Sequence, residues 1–100
     1  MDKTNDFYSI LKNRKLEIEA RYRDLTPVSR QRFEDAKNVL PGGYTRDAVI
    51  RNPYPNFVVA AHGAELVDVD GRELVDFCFN ATSMPLGHSD PRVVEAVTRQ

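Results

Sequence analysis

Three tight turns in a fixed order constrain what this chain can fold into: Pro41-Gly42-Gly43, Asp70-Gly71 and Gly87-His88. Helical periodicity precedes the first turn, strand-like alternation surrounds the second, and a helix start follows the third. In the first turn, two adjacent glycines permit positive φ and close backbone approach, while the proline cannot continue a helical ladder. A plain helix stop is the simplest meaning of that turn on physical grounds alone.

Residues 5–25 place Phe7, Ile10, Leu11, Ile18, Tyr22 and Leu25 mostly at three- and four-residue steps, which predicts an amphipathic helix. Its charges alternate in sign through Lys15, Glu17, Glu19 and Arg21, the pattern of a solvated face. A long terminal helix must lay its apolar stripe on something, and a partner subunit fits that need. Thr26-Pro27 reads as an N-cap followed by proline at the first helical position, restarting a helix through Phe33, Ala36, Val39 and Leu40.

The stretch 44–56, with Arg46, Arg51, Pro53 and Pro55, is expected to be irregular or extended. Residues 57–61 then read as a strand, His62-Gly63 as a turn and 65–69 as a second strand. Asp70-Gly71 supplies a two-residue hairpin turn, and 72–78 returns as a third strand. In that register Val67 opposes Leu74 and Leu66 opposes Val75, so both faces are partly apolar and the sheet is expected to be covered on both sides. Asp90 can cap a last helix with Pro91 in its first turn and Val93, Val94 and Val97 on one face. No stop signal follows before Gln100. The chain is therefore expected to be an N-terminal piece of a larger protein, with a complete small domain as the alternative.

Composition narrows the function classes. The chain is 41% hydrophobic and 29% charged with a formal net charge of -1, so no global field favours nucleic acid or an anionic membrane, and neither is expected as a partner. The segment Met1-Asp2-Lys3-Thr4-Asn5-Asp6 lacks the apolar stretch of a signal peptide, and a cytoplasmic location is expected. Cys78 is the single cysteine, which excludes an internal disulfide; within an apolar strand pattern it reads as a packed thiol.

Several chemistries can be set aside. Placing Gly71 at the sixth position of a calcium loop puts Leu66 first and Phe77 twelfth, where oxygen ligands are needed. His62 and His88 have no ligand partner at zinc spacing, so no metal is expected. Asn80-Ala81-Thr82 fits a glycosylation acceptor only as a short chance pattern, and Ser83 lacks the Gly-x-Ser-x-Gly elbow of a hydrolase. Neither the dinucleotide fingerprint nor the phosphate-binding loop occurs. Arg46 remains the most informative charge, because a guanidinium fork matches a carboxylate and this one follows the Gly-Gly turn; a surface arginine is its commonest other meaning.

In order, Leu40-Pro41-Gly42-Gly43-Tyr44-Thr45-Arg46, Pro53-Tyr54-Pro55, Asp68-Val69-Asp70-Gly71, Val75-Asp76-Phe77 and Leu86-Gly87-His88-Ser89-Asp90-Pro91 resemble the opening of class III aminotransferases. The match is to the glutamate-1-semialdehyde aminomutase-like branch and covers the last two thirds of the chain. The resemblance implies an α+β segment (two N-terminal helices, a small antiparallel sheet and the start of a further helix) of a fold type I α/β enzyme. That enzyme depends on pyridoxal 5'-phosphate and is a homodimer with shared active sites, acting on a small-molecule amino donor and acceptor. It divides the chain into N-terminal helices (1–40), a turn and substrate-side loop (41–56), a three-stranded sheet (57–79), and a pocket loop with the next helix start (80–100).

For the site, the resemblance implies substrate contacts at Arg46, Asn80, Ala81, Thr82 and Ser83. In aminomutases proper the substrate arginine falls nearer Val49, and many relatives carry an aromatic residue where this chain has Ala81, which implies a roomier pocket. His88, Asp68 and Asp70 are assigned fold roles. The lysines, Lys3, Lys12, Lys15 and Lys37, all fall in the two N-terminal helices and none matches the cofactor lysine, so the segment alone is expected to be inactive. The reading in another class is a non-catalytic helical module for dimerisation or protein interaction.

Overall fold

The computed structural model describes residues 3–100, with side chains from residue 6 onward. Met1 and Asp2, part of the stretch read for a leader, lie outside the described residues. The chain divides into two compact units, Met1–Asn56 and Phe57–Gln100.

The first unit begins with helix α1 (Lys3–Leu25), whose polar side carries the Arg14–Glu17 and Lys15–Glu19 pairs at 3.0 and 3.8 Å. Its stripe residues Phe7, Ile10, Leu11 and Ile18 are exposed. Helix α2 (Pro27–Ala36) starts at the expected proline but ends before Val39 and Leu40, which fall in the following turn. Thr26 occupies the N-cap without capping: its hydroxyl donates to the Tyr22 carbonyl at 2.6 Å and lies 3.0 Å from the Tyr54 hydroxyl. Tyr54 takes the hydroxyl that a cap would have used, and it is one of only two large apolar side chains buried among the described residues.

The other is Phe33, whose ring lies 5.1 Å from that of Tyr44 and 6.3 Å from that of Tyr54. The glycine turn, a 3-10 turn at Pro41–Gly43, exists to let this happen. Gly43 is buried with φ 80°, and a Cβ there would come within 2.8 Å of the Phe33 ring. The turn is therefore a close-packing device as well as a helix stop.

In the second unit, strands β1 (Val58–His62), β2 (Glu65–Asp68) and β3 (Glu73–Val75) form an antiparallel sheet in the order β1-β2-β3. The register differs by one residue from the two-residue turn expected: Leu66 faces Leu74, and Glu65 faces Val75. Asp68 is the cause. Its Oδ1 accepts from the amides of Asp70 and Arg72 at 3.0 and 2.8 Å, and its Oδ2 accepts from Arg72 Nε at 2.7 Å. Those bonds fix a three-residue loop, Val69 to Gly71, with Gly71 at φ 80°. Strand β3 also stops at Val75 instead of reaching Cys78, which places the thiol on the surface and corrects its reading as a packed side chain. Nor is the sheet covered among the described residues: Val58, Val59 and Val75 are exposed.

Beyond the sheet, α3 (Phe79–Thr82) is a single turn, and α4 (Pro91–Thr98) follows its expected cap. Asp90 accepts from the Arg92 amide at 3.0 Å, and Val93, Val94 and Val97 line one exposed side.

Candidate functional site

In the first unit, the 3-10 turn Asp47–Val49 begins just after Arg46, which is held extended as its N-cap at φ -166° and ψ 158°. Arg46 is exposed on the wall of an open concavity shared with Leu40, Pro41, Tyr44, Thr45, Asp47 and Ile50. Tyr44 is tied down by its packing on Phe33 and by a hydroxyl bond to the Arg51 carbonyl at 3.3 Å. The guanidinium has the geometry to pair with a small carboxylate, and the Asp47 carboxylate on the same wall opposes part of its charge. Val49 lies in the 3-10 turn, three residues along, and brings no charge to this surface.

The other candidate residues belong to the second unit and form an unusual backbone. Phe79, Asn80, Ala81 and Thr82 all have positive φ, from 47° to 65°, so α3 is a left-handed turn. Asparagine tolerates this region, whereas alanine and above all β-branched threonine do not. Each such residue costs about 1–2 kcal/mol, a strain that persists only where the surroundings impose it. The turn is closed by bonds from the Thr82 amide to the Cys78 carbonyl at 3.0 Å and from the Ser83 hydroxyl to the Asn80 carbonyl at 2.8 Å. Asn80, Ala81, Thr82 and Ser83 all remain exposed.

Asp76 stands at the base of this turn. It is buried, and its Oδ1 accepts from the Cys78 and Phe79 amides at 2.8 and 2.9 Å. Its Oδ2 lies 2.6 Å from His88 Nε2. The His88 hydrogen bond, then the two amides, hold the Asp76 carboxyl below its usual range, so it is ionised at neutral pH and His88 Nε2 donates. His88 is itself pinned by a reciprocal backbone pair with Gly63 at 2.8 and 2.9 Å. Gly87 permits that approach: at φ 81°, a Cβ would lie 2.9 Å from the Gly63 carbonyl oxygen. The fold role expected for His88 is thus realised through Asp76, a residue the sequence reading did not single out for the site. The signal was available, since a lone carboxylate between Val75 and Phe77 must either end the strand or find a partner.

Lys15 pairs with Glu19, Lys37 pairs with Glu34 and lies 4.6 Å above the Phe33 ring, and Lys12 is exposed on α1. Among the described residues, no three His, Cys, Asp or Glu side chains converge as metal ligands, and no helix is long and apolar enough to cross a membrane.

Two helices, a glycine-turned loop, a three-stranded antiparallel sheet and a constrained turn define a segment of the transaminase fold. A β-phenylalanine aminotransferase from Variovorax paradoxus superposes with a TM-score of 0.81 at 31% identity, over 84% of this chain and 20% of that one. A glutamate-1-semialdehyde aminomutase variant from Pseudomonas aeruginosa, solved in complex with PMP, gives 0.78 at 28% identity over 82% and 18%. In sequence, residues 47–100 match the model of the family described as Aminotransferase class-III. The glutamate-1-semialdehyde 2,1-aminomutase of Methanopyrus kandleri is 40% identical over 79 residues, 79% of this chain and 18% of that enzyme. The chain belongs to the class III aminotransferases, and it spans about a fifth of the length of these relatives.

Proposed function

We propose that this chain is the substrate-side N-terminal part of a pyridoxal-phosphate-dependent aminotransferase or aminomutase that moves an amino group on an amino acid or related amine. The observation that carries the reading is the class III match across residues 47–100. Relatives named as aminomutase and as β-phenylalanine aminotransferase align with the same segment, so amino-group transfer is the chemistry they share. The relative solved with PMP supports a pyridoxal cofactor.

When bound, such a cofactor serves as an electron sink. No lysine of this segment matches the family's cofactor lysine, so no step through the cofactor is assigned to these residues. Their part is recognition. In the first unit Arg46 receives a substrate carboxylate, and in the second unit Asn80, Ala81, Thr82 and Ser83 make substrate contacts. We read the whole enzyme as a cytoplasmic homodimer with shared active sites; the exposed apolar stripe of α1 supports a subunit contact. No observation favours the alternative of a non-catalytic interaction module.

The test is Arg46→Ala in the full-length enzyme, assayed with an amino acid and with an amine of similar body lacking the carboxylate. Loss of one charge-assisted pair raises KM for the amino acid about tenfold or more and leaves the amine unaffected. Equal effects on both substrates would remove Arg46 from the carboxylate site.

A further inference from the structure

We propose that Asp76 is a positioning residue for the substrate loop, holding residues 79–82 in their left-handed conformation and anchoring that turn to the β1–β2 hairpin through His88. The inference rests on the reading that this loop faces the substrate.

Phe79 to Thr82 lie in a region that phenylalanine, alanine and threonine avoid, so an external constraint must select it. Asp76 supplies that constraint where the turn begins. One carboxylate oxygen accepts both the Cys78 and Phe79 amides, which orients the peptide planes that lead into the turn. The other oxygen takes the 2.6 Å bond from His88. His88 cannot follow a moving loop, because its amide and carbonyl are both bonded to Gly63 at the end of the β1–β2 hairpin. The backbone of Asp76 is fixed at the same hairpin, through the bond from its own amide to the carbonyl of Ala64, the residue next to Gly63, at 2.8 Å. Asp76 thus ties the β1–β2 turn, at Ala64 through its amide and at Gly63 through its carboxylate and His88, to a strained turn in which Asn80, Ala81 and Thr82 are exposed.

The experiment uses the full-length holoenzyme and two readouts, backbone amide hydrogen exchange over residues 77–83 and steady-state kinetics. Asp76→Ala is expected to speed exchange at the Cys78 and Phe79 amides about tenfold or more. It is also expected to raise KM about fivefold with kcat changed much less, since the loop's part is to orient the substrate. Asp76→Asn retains an acceptor oxygen for the two amides but sets an amide NH2 against His88 Nε2, and is expected to shift both readouts in the same direction as Asp76→Ala by a smaller factor. A purely structural carboxylate would lower stability without moving KM. If Asp76→Ala does not fold, His88→Ala keeps the carboxylate and removes its anchor, and shifts both readouts in the same direction by a smaller factor.

Unchanged exchange in the variant that folds overturns the role of Asp76 and leaves the functional reading standing. Faster exchange with unchanged KM overturns the proposal from the other side, by showing that residues 80–83 do not meet the substrate; the Arg46 comparison then still decides the carboxylate site.

Discussion

The glycines of the first turn separate two physical demands that the sequence presents as one. Gly42 and Gly43 both have positive φ, 67° and 80°. A Cβ on Gly42 meets only the Tyr44 ring at an ordinary 3.8 Å, whereas on Gly43 it enters the Phe33 ring at 2.8 Å. Gly42→Ala is therefore expected to cost about 1 kcal/mol, the backbone penalty alone. Gly43→Ala adds overpacking of the buried ring and is expected to cost about 2–3 kcal/mol. Denaturant midpoints of the two variants at unchanged m-value measure the difference, and equal losses would show that packing against Phe33 contributes nothing. The need for a sharp turn was legible in Pro41-Gly42-Gly43, but the ring that makes Gly43 the costlier site to change lies ten residues earlier. Thr26 teaches the same lesson: its type and position announce a cap, but its hydroxyl donates back to the Tyr22 carbonyl and meets the Tyr54 hydroxyl, 28 residues later. Of the candidate site, Arg46 and residues 80–83 were legible from type and order. The left-handed backbone that presents the latter was not, because nothing in Phe79-Asn80-Ala81-Thr82 favours it apart from the asparagine.

At the scale of elements, periodicity located both long helices and all three strands, and errors gathered at their ends, where side chains compete with the backbone. Asp68 lengthened the hairpin loop and moved the register by one residue; Asp76 stopped β3 early. Both are carboxylates that bond amides two to four residues ahead, which strand alternation does not report. Asp90 does the same at the start of α4, where sequence reasoning expects it, and its titration gives a test. The Arg92 guanidinium, bonded at 3.0 and 2.8 Å, lowers the Asp90 carboxyl from 3.8 to about 2. The folded value lies below the unfolded one, so the stabilisation is fully present above pH 3.8 and is lost as pH falls through about 2. Asp90→Asn keeps an acceptor for the Arg92 amide and removes the titration. Its unfolding midpoint, followed from neutral pH down to pH 2, is expected to fall less steeply than the parent's below pH 3.8. Asp76, also held low, accounts for part of the slope that remains. Parallel curves for parent and variant would mean that the Asp90–Arg92 fork does not contribute in solution.

For the whole molecule, the distribution of apolar surface decides how these hundred residues behave by themselves. Among the described residues only Phe33 and Tyr54 bury large apolar side chains, while Phe77 is 90% and Val97 70% exposed, and the α1 stripe and β1 valines are open as well. Polar ties of the kind made by Asp68, Asp76 and Thr26 specify a conformation, but each contributes far less than burying a comparable number of aliphatic side chains. Exposed apolar surface on this scale is characteristic of a surface meant to be covered, and the relatives that share the fold are about five times as long. Expressed alone, the hundred residues are expected to bind a hydrophobic dye strongly, to self-associate as concentration rises, and to unfold without a sharp transition. Within the full-length enzyme the same segment is expected to bind no dye and to exchange its amides slowly over α1 and β1. Dye fluorescence and sedimentation of the two proteins, compared at equal molar concentration, separate the cases. A monodisperse, dye-silent hundred-residue chain with cooperative unfolding would show that the valines of α4 and the α1 stripe need no cover, and would restore the interaction-module reading.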